Sequence, residues 1–467
     1  MAATTTDQFD VVILGGGSGG YAAALRGAQL GLTIAMVEKD KLGGTCLHRG
    51  CVPTKAMLHV GEVADAPSEG KDLGLDISLN AVDVEKVLGF KDKVIGRLYK
   101  GLQGLVKSRD VEYVEGFGRL TGKNQVTVET GDGERVLTGK NIVLATGSFS
   151  KTLPGIELGG RILDSEAALQ LPEVPKNPII LGGGVIGVEF ASVWKSLGAE
   201  SVTIVEGLPH LVANEDESLS KALERSFKKR GIKFSLGVFT EKVEPSDSGV
   251  EVTLADGTVF EGDYLLVAVG RGPVTKDLGY EEQGIEMDRG FVLADKGTLE
   301  TSVPGIYAVG DIVPGLQLAH RGFQQGIFVA ELIAGQNPAP IVESGIPRIT
   351  YCEPQLGSVG LTEKQAKEQL GDDAVQTYEY NLGGNGKSQI LGTTGFIKLV
   401  REKDGPIVGV HMVGSRMSEL MGEAQLIVNW EAYPEDVASL VHGHPTQHEA
   451  MGEAALALAG KPLHAHA

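Results

Sequence analysis

Cysteine is scarce in this chain: only Cys46, Cys51 and Cys352 occur among 467 residues. Three are too few to staple a secreted, disulfide-built fold. Proline numbers only 19 and no tripeptide period appears, which excludes collagen-like and Gly/Pro low-complexity chains. No run of 18 apolar residues exists, so no transmembrane helix is expected. The start, MAATTTDQFD, has neither a basic stretch nor an apolar core and does not read as a signal peptide. Positive charge is also short, with 42 Lys and Arg against 61 Asp and Glu and a net charge of −19. That balance argues against nucleic acid or an anionic membrane as partner. At ~150 residues per domain the length suggests about three domains, in a soluble, cytoplasmic α/β protein. Glycine is what the chain has in excess. Its 66 glycines are about twice the usual ~7% share, which marks tight turns or backbone held close to a ligand.

The glycines concentrate where such a ligand is expected. FDVVIL, ending at Leu14, reads as a buried strand and runs into Gly15-x-Gly17-x-x-Gly20. A helical stretch, YAAALRGAQLG, follows, and then the strand LTIAMVE ends at Glu38, 23 residues after Gly15. The unit repeats: NPIIL leads into Gly182-x-Gly184-x-x-Gly187, a helix, and the strand SVTIVE ending at Glu206, 24 residues after Gly182. Glycines admit a pyrophosphate to the backbone, the helix N-terminus faces its charge, and the acid accepts from a ribose diol. One such loop is weak evidence; two full units with acids at matching offsets are strong. Glu206 would repel a 2′-phosphate, and its neighbours Gly207, Leu208 and Pro209 supply no arginine, so the second unit should prefer NAD to NADP.

Each unit carries a tail of alternating strands. The first has a hairpin around Gly131–Gly133 and a buried strand ending at Ala145-Thr146-Gly147-Ser148; the second turns at Asp256-Gly257 and stops at Gly270. This reads as a duplication of domain scale over roughly 1–150 and 151–275. TSVPGIYAVGD is a further buried strand, whose Asp311 by itself reads best as a helix N-cap.

Two more segments carry chemistry. In GGTCLHRGCVPTK, Cys46 and Cys51 stand five apart, directly after the first unit. A zinc set would need more ligands nearby, and two inert buried thiols are the bland alternative. A dithiol/disulfide redox pair is favoured, because a following helix N-terminus lowers thiol pKa. VHGHPTQHEA supplies His442, His444, His448 and Glu449. They read as a metal set, as an exposed loop, or as an imidazole held in one tautomer by a carboxylate.

Taken together, GGTCLHRGCVPTK, GGGVIGVEF, GIYAVGD and HPTQHE closely resemble the flavoprotein pyridine nucleotide–disulfide oxidoreductases, in order and spacing, over essentially the whole chain. Within that family the match is to the branch that oxidises dihydrolipoyl groups. The resemblance implies two Rossmann-like dinucleotide-binding domains, for FAD and NAD, and a C-terminal α+β dimerisation domain. The expected boundaries are 1–150 (FAD, first part), 151–275 (NAD), 276–345 (FAD, second part) and 346–467 (dimerisation). It implies that Cys46 meets the dithiol substrate and that Cys51 is the charge-transfer thiolate over the flavin. Lys55, paired with Glu189, would stand near the flavin N5. Asp311 would bind the ribityl chain; Gly118, Thr146, Gly147 and Ser148 would border FAD and Gly270 NAD. Gln317, Leu318, Ala319 and His320 would begin a helix aimed at the flavin's pyrimidine edge. His444, oriented by Glu449, would be the acid–base catalyst and would reach the disulfide of the other subunit of a homodimer. The implied partners are the lipoyl domains of 2-oxoacid dehydrogenase complexes, with electrons passing by a ping-pong route to NAD+.

The chain departs from the family pattern at several points. Leu47-His48-Arg49-Gly50 replaces Leu-Asn-x-Gly and changes the charge near the disulfide. Gln324-Gln325 stand where an acid is usual before Gly326, and His448 where Ser is usual, beside Glu449. YCEPQ carries Cys352 and Gln355 in place of Thr and Glu, and Cys352 reads as a buried thiol in a strand. Rival readings are a glutathione- or mycothiol-type disulfide reductase, and a mainly structural subunit of a dehydrogenase complex. A mercuric reductase would need a C-terminal cysteine pair, which the tail GKPLHAHA lacks.

Overall fold

The computed structural model describes residues 6–71 and 73–464. The signal-peptide expectation at residues 1–5 and the last three residues of GKPLHAHA lie outside the described residues. The chain folds into two compact units. One takes residues up to Ala56 together with Glu85–Lys151 and Gly270–Glu343; the other takes Met57–Val84, Thr152–Val269 and the chain from Ser344 onward.

In the first unit, Glu112–Glu115, Ile34–Glu38, Thr6–Leu14 and Gly133–Leu144 form a parallel sheet in that order. Gly133–Leu144 is long enough for two jobs. Its beginning pairs antiparallel with Gln125–Thr130, and its end pairs parallel with Ile306–Ala308. The four residues Val11–Leu14 are almost wholly buried, as a sheet covered on both faces requires. Alternation sorts them: Val12 and Leu14 join one apolar cluster with Val37 and Leu120, while Val11 and Ile13 join another with Ala23 and Met36. Burying each such side chain is worth roughly 1.5–3 kcal/mol. The helix Ser18–Gln29 lies against the helix Ala319–Ile333, where a Cβ on Gly326 would sit 2.2 Å from the Gly19 carbonyl oxygen.

The second unit contains a parallel sheet in the order Ile232–Leu236, Val202–Glu206, Ile179–Leu181, Leu265–Val267 and Ile162–Leu163. The hairpin strands Val250–Leu254 and Val259–Gly262 form an antiparallel sheet with Thr240–Pro245. A further five-stranded sheet, antiparallel throughout, runs Arg348–Thr350, Gln355–Gly360, Ile407–Gly414, Phe396–Glu402, Val375–Asn381. The helices Met417–Asn429 and Glu449–Leu458 share its apolar cluster through Leu420, Met421, Met451 and Ala454. The architecture is thus the expected mixed α/β class, two parallel nucleotide-type sheets and an α+β C-terminal part. Among the described residues no helix is long and apolar enough to cross a membrane.

Two local expectations fail. Cys352 is buried but lies in the bend between two strands, not within one; its thiol donates to the Pro354 carbonyl at 3.2 Å. Pro354 has no N–H and interrupts the ladder there. Asp311 is not an N-cap: it lies inside the 3-10 turn Gly310–Ile312, whose cap is Val309.

Candidate active site and nucleotide loops

The first glycine loop is shaped by two close approaches and one opening. Gly15 has φ +109°, and a Cβ there would stand 2.3 Å from the Ala145 oxygen. A Cβ on Gly20 would stand 1.8 Å from the Gly15 oxygen, so only glycine lets the helix Ser18–Gln29 sit on the loop. At Gly17 a Cβ would meet nothing within 4 Å. Gly17 is also the helix N-cap and offers no side chain to the first N–H groups. A bare helix terminus facing open space fits a pyrophosphate. Glu38 is held beside it, its two carboxylate oxygens accepting the Gly16 N–H at 2.7 Å and the Asp40 N–H at 2.9 Å.

The second loop repeats this geometry to within 0.1 Å. A Cβ on Gly182 (φ +105°) would lie 2.3 Å from the Ala268 oxygen, one on Gly187 1.9 Å from the Gly182 oxygen, and one on Gly184 in the open. Glu206 accepts from the Gly183 N–H at 2.6 Å and the Leu208 N–H at 2.8 Å. Gly187→Ala is expected to cost roughly 1–3 kcal/mol through overpacking and to lower Tm by calorimetry. An unchanged Tm would mean that the helix does not need this approach.

The thiols follow directly from the first loop. The Gly43 N–H donates to the Gly16 oxygen at 2.8 Å, and a Cβ on Gly44 would stand 2.8 Å from the Gly17 Cα. Cys46 then sits on the short helix Gly44–His48, and Cys51 opens the 20-residue helix Cys51–Gly70. Both are free thiols, hydrogen-bonded to each other. That bond to Cys51, with burial, pushes the Cys46 thiol well above the ordinary range, while the Lys55 charge opposes the shift. Cys51 stands at the start of the helix Cys51–Gly70. The pair therefore carries one negative charge far more readily than two. Tyr21 lies within electrostatic reach, its hydroxyl pushed up to about 12 by burial and then by Cys46 and Cys51. The charge brought by the unusual residues between the cysteines is turned away: Arg49 pairs with Asp40. His48 Nε2 lies 2.9 Å from the Leu42 oxygen, with its ring edge-on to Tyr99 at 4.9 Å.

Around Asp311, in the same unit, the Ser148 hydroxyl donates to the carboxylate at 2.5 Å and receives the Arg271 Nε–H at 2.7 Å. The Gln317 amide donates to the Asp311 carbonyl at 3.4 Å, but Gln317 precedes the helix, which starts at Ala319 and His320 with Leu318 as its cap. Gln325, 1% exposed, accepts the Gly310 N–H at 2.7 Å. Its amide oxygen thus does an acceptor's work with no buried charge to stabilise. Thr146 donates to the Val274 oxygen at 2.5 Å. Gly147 has φ +76°, and Gly270 accepts the Lys151 N–H at 3.0 Å. Gly118 is a packing glycine, since a Cβ there would stand 2.5 Å from Leu14 Cδ1.

In the second unit, His444 Nδ1 lies 2.8 Å from Glu449 Oε1, and the Thr446 N–H donates to Glu449 Oε2 at 2.8 Å. The Thr446 bond, with His444, outweighs burial and holds the Glu449 carboxyl below its ordinary value. The imidazole itself is 79% exposed. His448 does not compete for Glu449. Its Nδ1 lies 2.6 Å from Glu423, whose other oxygen lies 2.8 Å from His442 Nε2. Glu423 is half-buried, which opposes ionisation, yet the two histidines hold its carboxyl below the usual range. Glu189, 2% exposed, accepts the Tyr351 N–H at 2.9 Å. Sequence reasoning passed over Arg271 and Glu423, which stand in ordinary helical or strand-end surroundings and belong to no motif. Among the described residues no group of three or more His, Cys, Asp or Glu is arranged to hold a metal.

Comparison with known proteins agrees with this geometry. Residues 9–326 match the family described as pyridine nucleotide-disulphide oxidoreductase, and residues 346–455 match its dimerisation domain. The chain is 39% identical over 474 residues to a mitochondrial dihydrolipoyl dehydrogenase of Arabidopsis thaliana, covering 99% of this chain and 93% of that protein. It is 38% identical to a dihydrolipoyl dehydrogenase of Bacillus subtilis, covering 98% of this chain and 99% of that one. Among solved structures it resembles LpdA of Mycobacterium tuberculosis, with a TM-score of 0.90, 25% identity, and coverage of 97% and 100%. Two open glycine loops with their ribose acids, a thiol pair beside the first of them and matches along nearly the whole chain lead to one conclusion: the chain belongs to the pyridine nucleotide-disulphide oxidoreductase family, as an enzyme that works with FAD and NAD(H).

Proposed function

We propose that this protein is a dihydrolipoyl dehydrogenase, which oxidises protein-bound dihydrolipoyl groups and passes their electrons to NAD+. The observation that carries the reading is the hydrogen-bonded pair Cys46–Cys51, set immediately after the first glycine loop. In the resting enzyme the pair is a disulfide. His444 takes a proton from one substrate thiol, and the thiolate attacks Cys46 Sγ. The Cys46–Cys51 bond breaks, leaving Cys51 as thiolate. The second substrate thiol closes on the mixed disulfide, its proton passing to Cys46 as that sulfur leaves, and the cyclic disulfide product is released. The proton rests on His444, oriented by Glu449, and Lys55, one turn past Cys51, offsets the charge left on the pair. Bound FAD would supply the two-electron acceptor that links the thiol pair to NAD+.

Gly15, Gly17, Gly20 and Glu38 fit the FAD diphosphate and ribose, with Asp311 and Ser148 toward its ribityl chain. Gly182, Gly184, Gly187 and Glu206 fit NAD. The expected partition is 1–150, 151–275, 276–345 and 346–467. The dimerisation match supports a homodimer, in which His444 of the partner subunit serves each thiol pair. Lipoyl domains of a 2-oxoacid dehydrogenase complex are the proposed partners and the cytoplasm the location. Purified protein is expected to be yellow, and kcat/KM to favour NAD+ over NADP+ by at least about 100-fold, since a 2′-phosphate would face the Glu206 carboxylate. Steady-state rates with dihydrolipoamide, glutathione disulfide and a mycothiol-type disulfide, each with both nicotinamides, test this. Equal use of NADP+, or turnover of glutathione disulfide alone, would overturn it.

A further inference from the structure

A large apolar ring stands in water beside the second ribose acid. Phe239 follows the strand Ile232–Leu236 and is 69% exposed, among the most exposed large apolar side chains of the protein. One side of its ring rests on Gly207, the residue after Glu206: a Cβ at Gly207 would stand 2.5 Å from Phe239 Cε1. Backbone bonds fix the segment from both ends. The Gly237 N–H donates to the Leu208 oxygen at 2.9 Å, and the Ala255 N–H donates to the Phe239 oxygen at 2.9 Å. The backbone carrying the ring is therefore fixed by the fold, and the ring lies near Gly207 and is otherwise largely exposed.

Connectivity of the ligand says what belongs there. An adenine dinucleotide runs pyrophosphate, ribose, base; the protein offers in the same order open Gly184, the Glu206 carboxylate, then Gly207 under Phe239. The first unit has a phenylalanine in the neighbourhood of its acid as well. After its third parallel strand, Glu112–Glu115, the Gly116 N–H donates to the Glu38 oxygen at 2.9 Å and Phe117 follows, itself 37% exposed. The Phe117 ring has Lys39 Nζ 6.0 Å from its centre, so only the second unit presents a largely uncovered phenylalanine next to the residue after its acid.

We infer that Phe239 is the adenine wall of the second nucleotide site, stacking the base of NAD on the side of the ring away from Gly207. This deepens the proposed NAD role of Glu206 and rests on it. Stacking a base on an aromatic face needs no hydrogen-bond code and adds affinity to the adenylate half only. It makes the residue a specificity determinant for adenine nucleotides, with no part in hydride transfer.

The test is calorimetric titration of flavin-loaded enzyme with ADP-ribose and, separately, with nicotinamide mononucleotide. Phe239→Ala is expected to weaken ADP-ribose binding about tenfold, to leave nicotinamide mononucleotide unchanged, and to raise KM for NAD+ with kcat held. Phe239→Tyr should restore binding, and Gly207→Ala, which displaces the ring, should weaken it. Wild-type affinity for ADP-ribose in Phe239→Ala, or equal losses for both fragments, would overturn the stacking role while leaving the site intact. Failure of the wild-type enzyme to bind ADP-ribose would instead remove the Glu206 reading and the inference with it.

Discussion

Cys46→Ser and Cys51→Ser are each expected to lower turnover of dihydrolipoamide by on the order of 10³-fold or more, because residues that act as one unit fail together. A serine hydroxyl forms no mixed disulfide and cannot leave as thiolate, so neither variant can complete both exchanges. The variants should nevertheless stay yellow and oxidise NADH with an artificial electron acceptor, since the glycine loops and Glu38 and Glu206 are untouched. Stopped-flow mixing with dihydrolipoamide would separate the halves: flavin reduction by the dithiol disappears, while reduction by NADH persists. Near-normal dithiol turnover in either variant would rule out the disulfide route. The structure adds an asymmetry, because the Cys46 proton is held by Cys51 and by burial. Titration of the reduced enzyme should therefore show one thiolate forming well before the second.

His444→Gln is expected to cut kcat with dihydrolipoamide by about 10²–10⁴-fold, the range of a positioned general base. Glu449→Gln should cost less, about 10–100-fold, because it removes only the group that orients the ring. The two also differ in pH dependence. The Glu449 carboxyl is held below its ordinary value of 4.5, first by the Thr446 N–H and then by His444. Its stabilising contribution is present above that ordinary value and is lost only as pH falls through the lower, folded one. An acid limb above that range is therefore not the titration of Glu449 itself, and Glu449→Gln should move such a limb rather than erase it. A profile unchanged in Glu449→Gln would break the proposed link between the two side chains.

Much of this was legible before the fold. The glycine loops work through contacts a few residues long: Gly20 must clear the Gly15 oxygen and Gly187 the Gly182 oxygen, and such demands leave a short, spaced pattern in the chain. Glu38 and Glu206 follow by the fixed length of a helix and a strand. The neighbourhood of Cys46 and Cys51 is equally local, since five residues can only turn from one short helix into the next. Asp311 read best as a helix cap because its strand-end dipeptide is common; its actual partner, Ser148, lies 163 residues away.

Side-chain partners drawn from distant elements had no such trace. Arg49 raises the formal charge beside the thiols, yet its guanidinium is spent on Asp40. His448 is adjacent to Glu449 in the chain, but a helix residue points its neighbour elsewhere, and Glu423 from the helix Met417–Asn429 takes it together with His442. Phe239 is one more apolar letter after a strand until the fold sets it on Gly207 and leaves its ring exposed. The sequence by itself determined the α/β class, the two nucleotide loops with their acids, and the thiol pair, because each is encoded in backbone spacing over at most about thirty residues. Only the tertiary structure decided which carboxylate serves which histidine, where the charge between the cysteines goes, and what stands past the second ribose acid. Those outcomes depend on which remote side chains the packed sheets and helices bring within reach, and chain order does not record that.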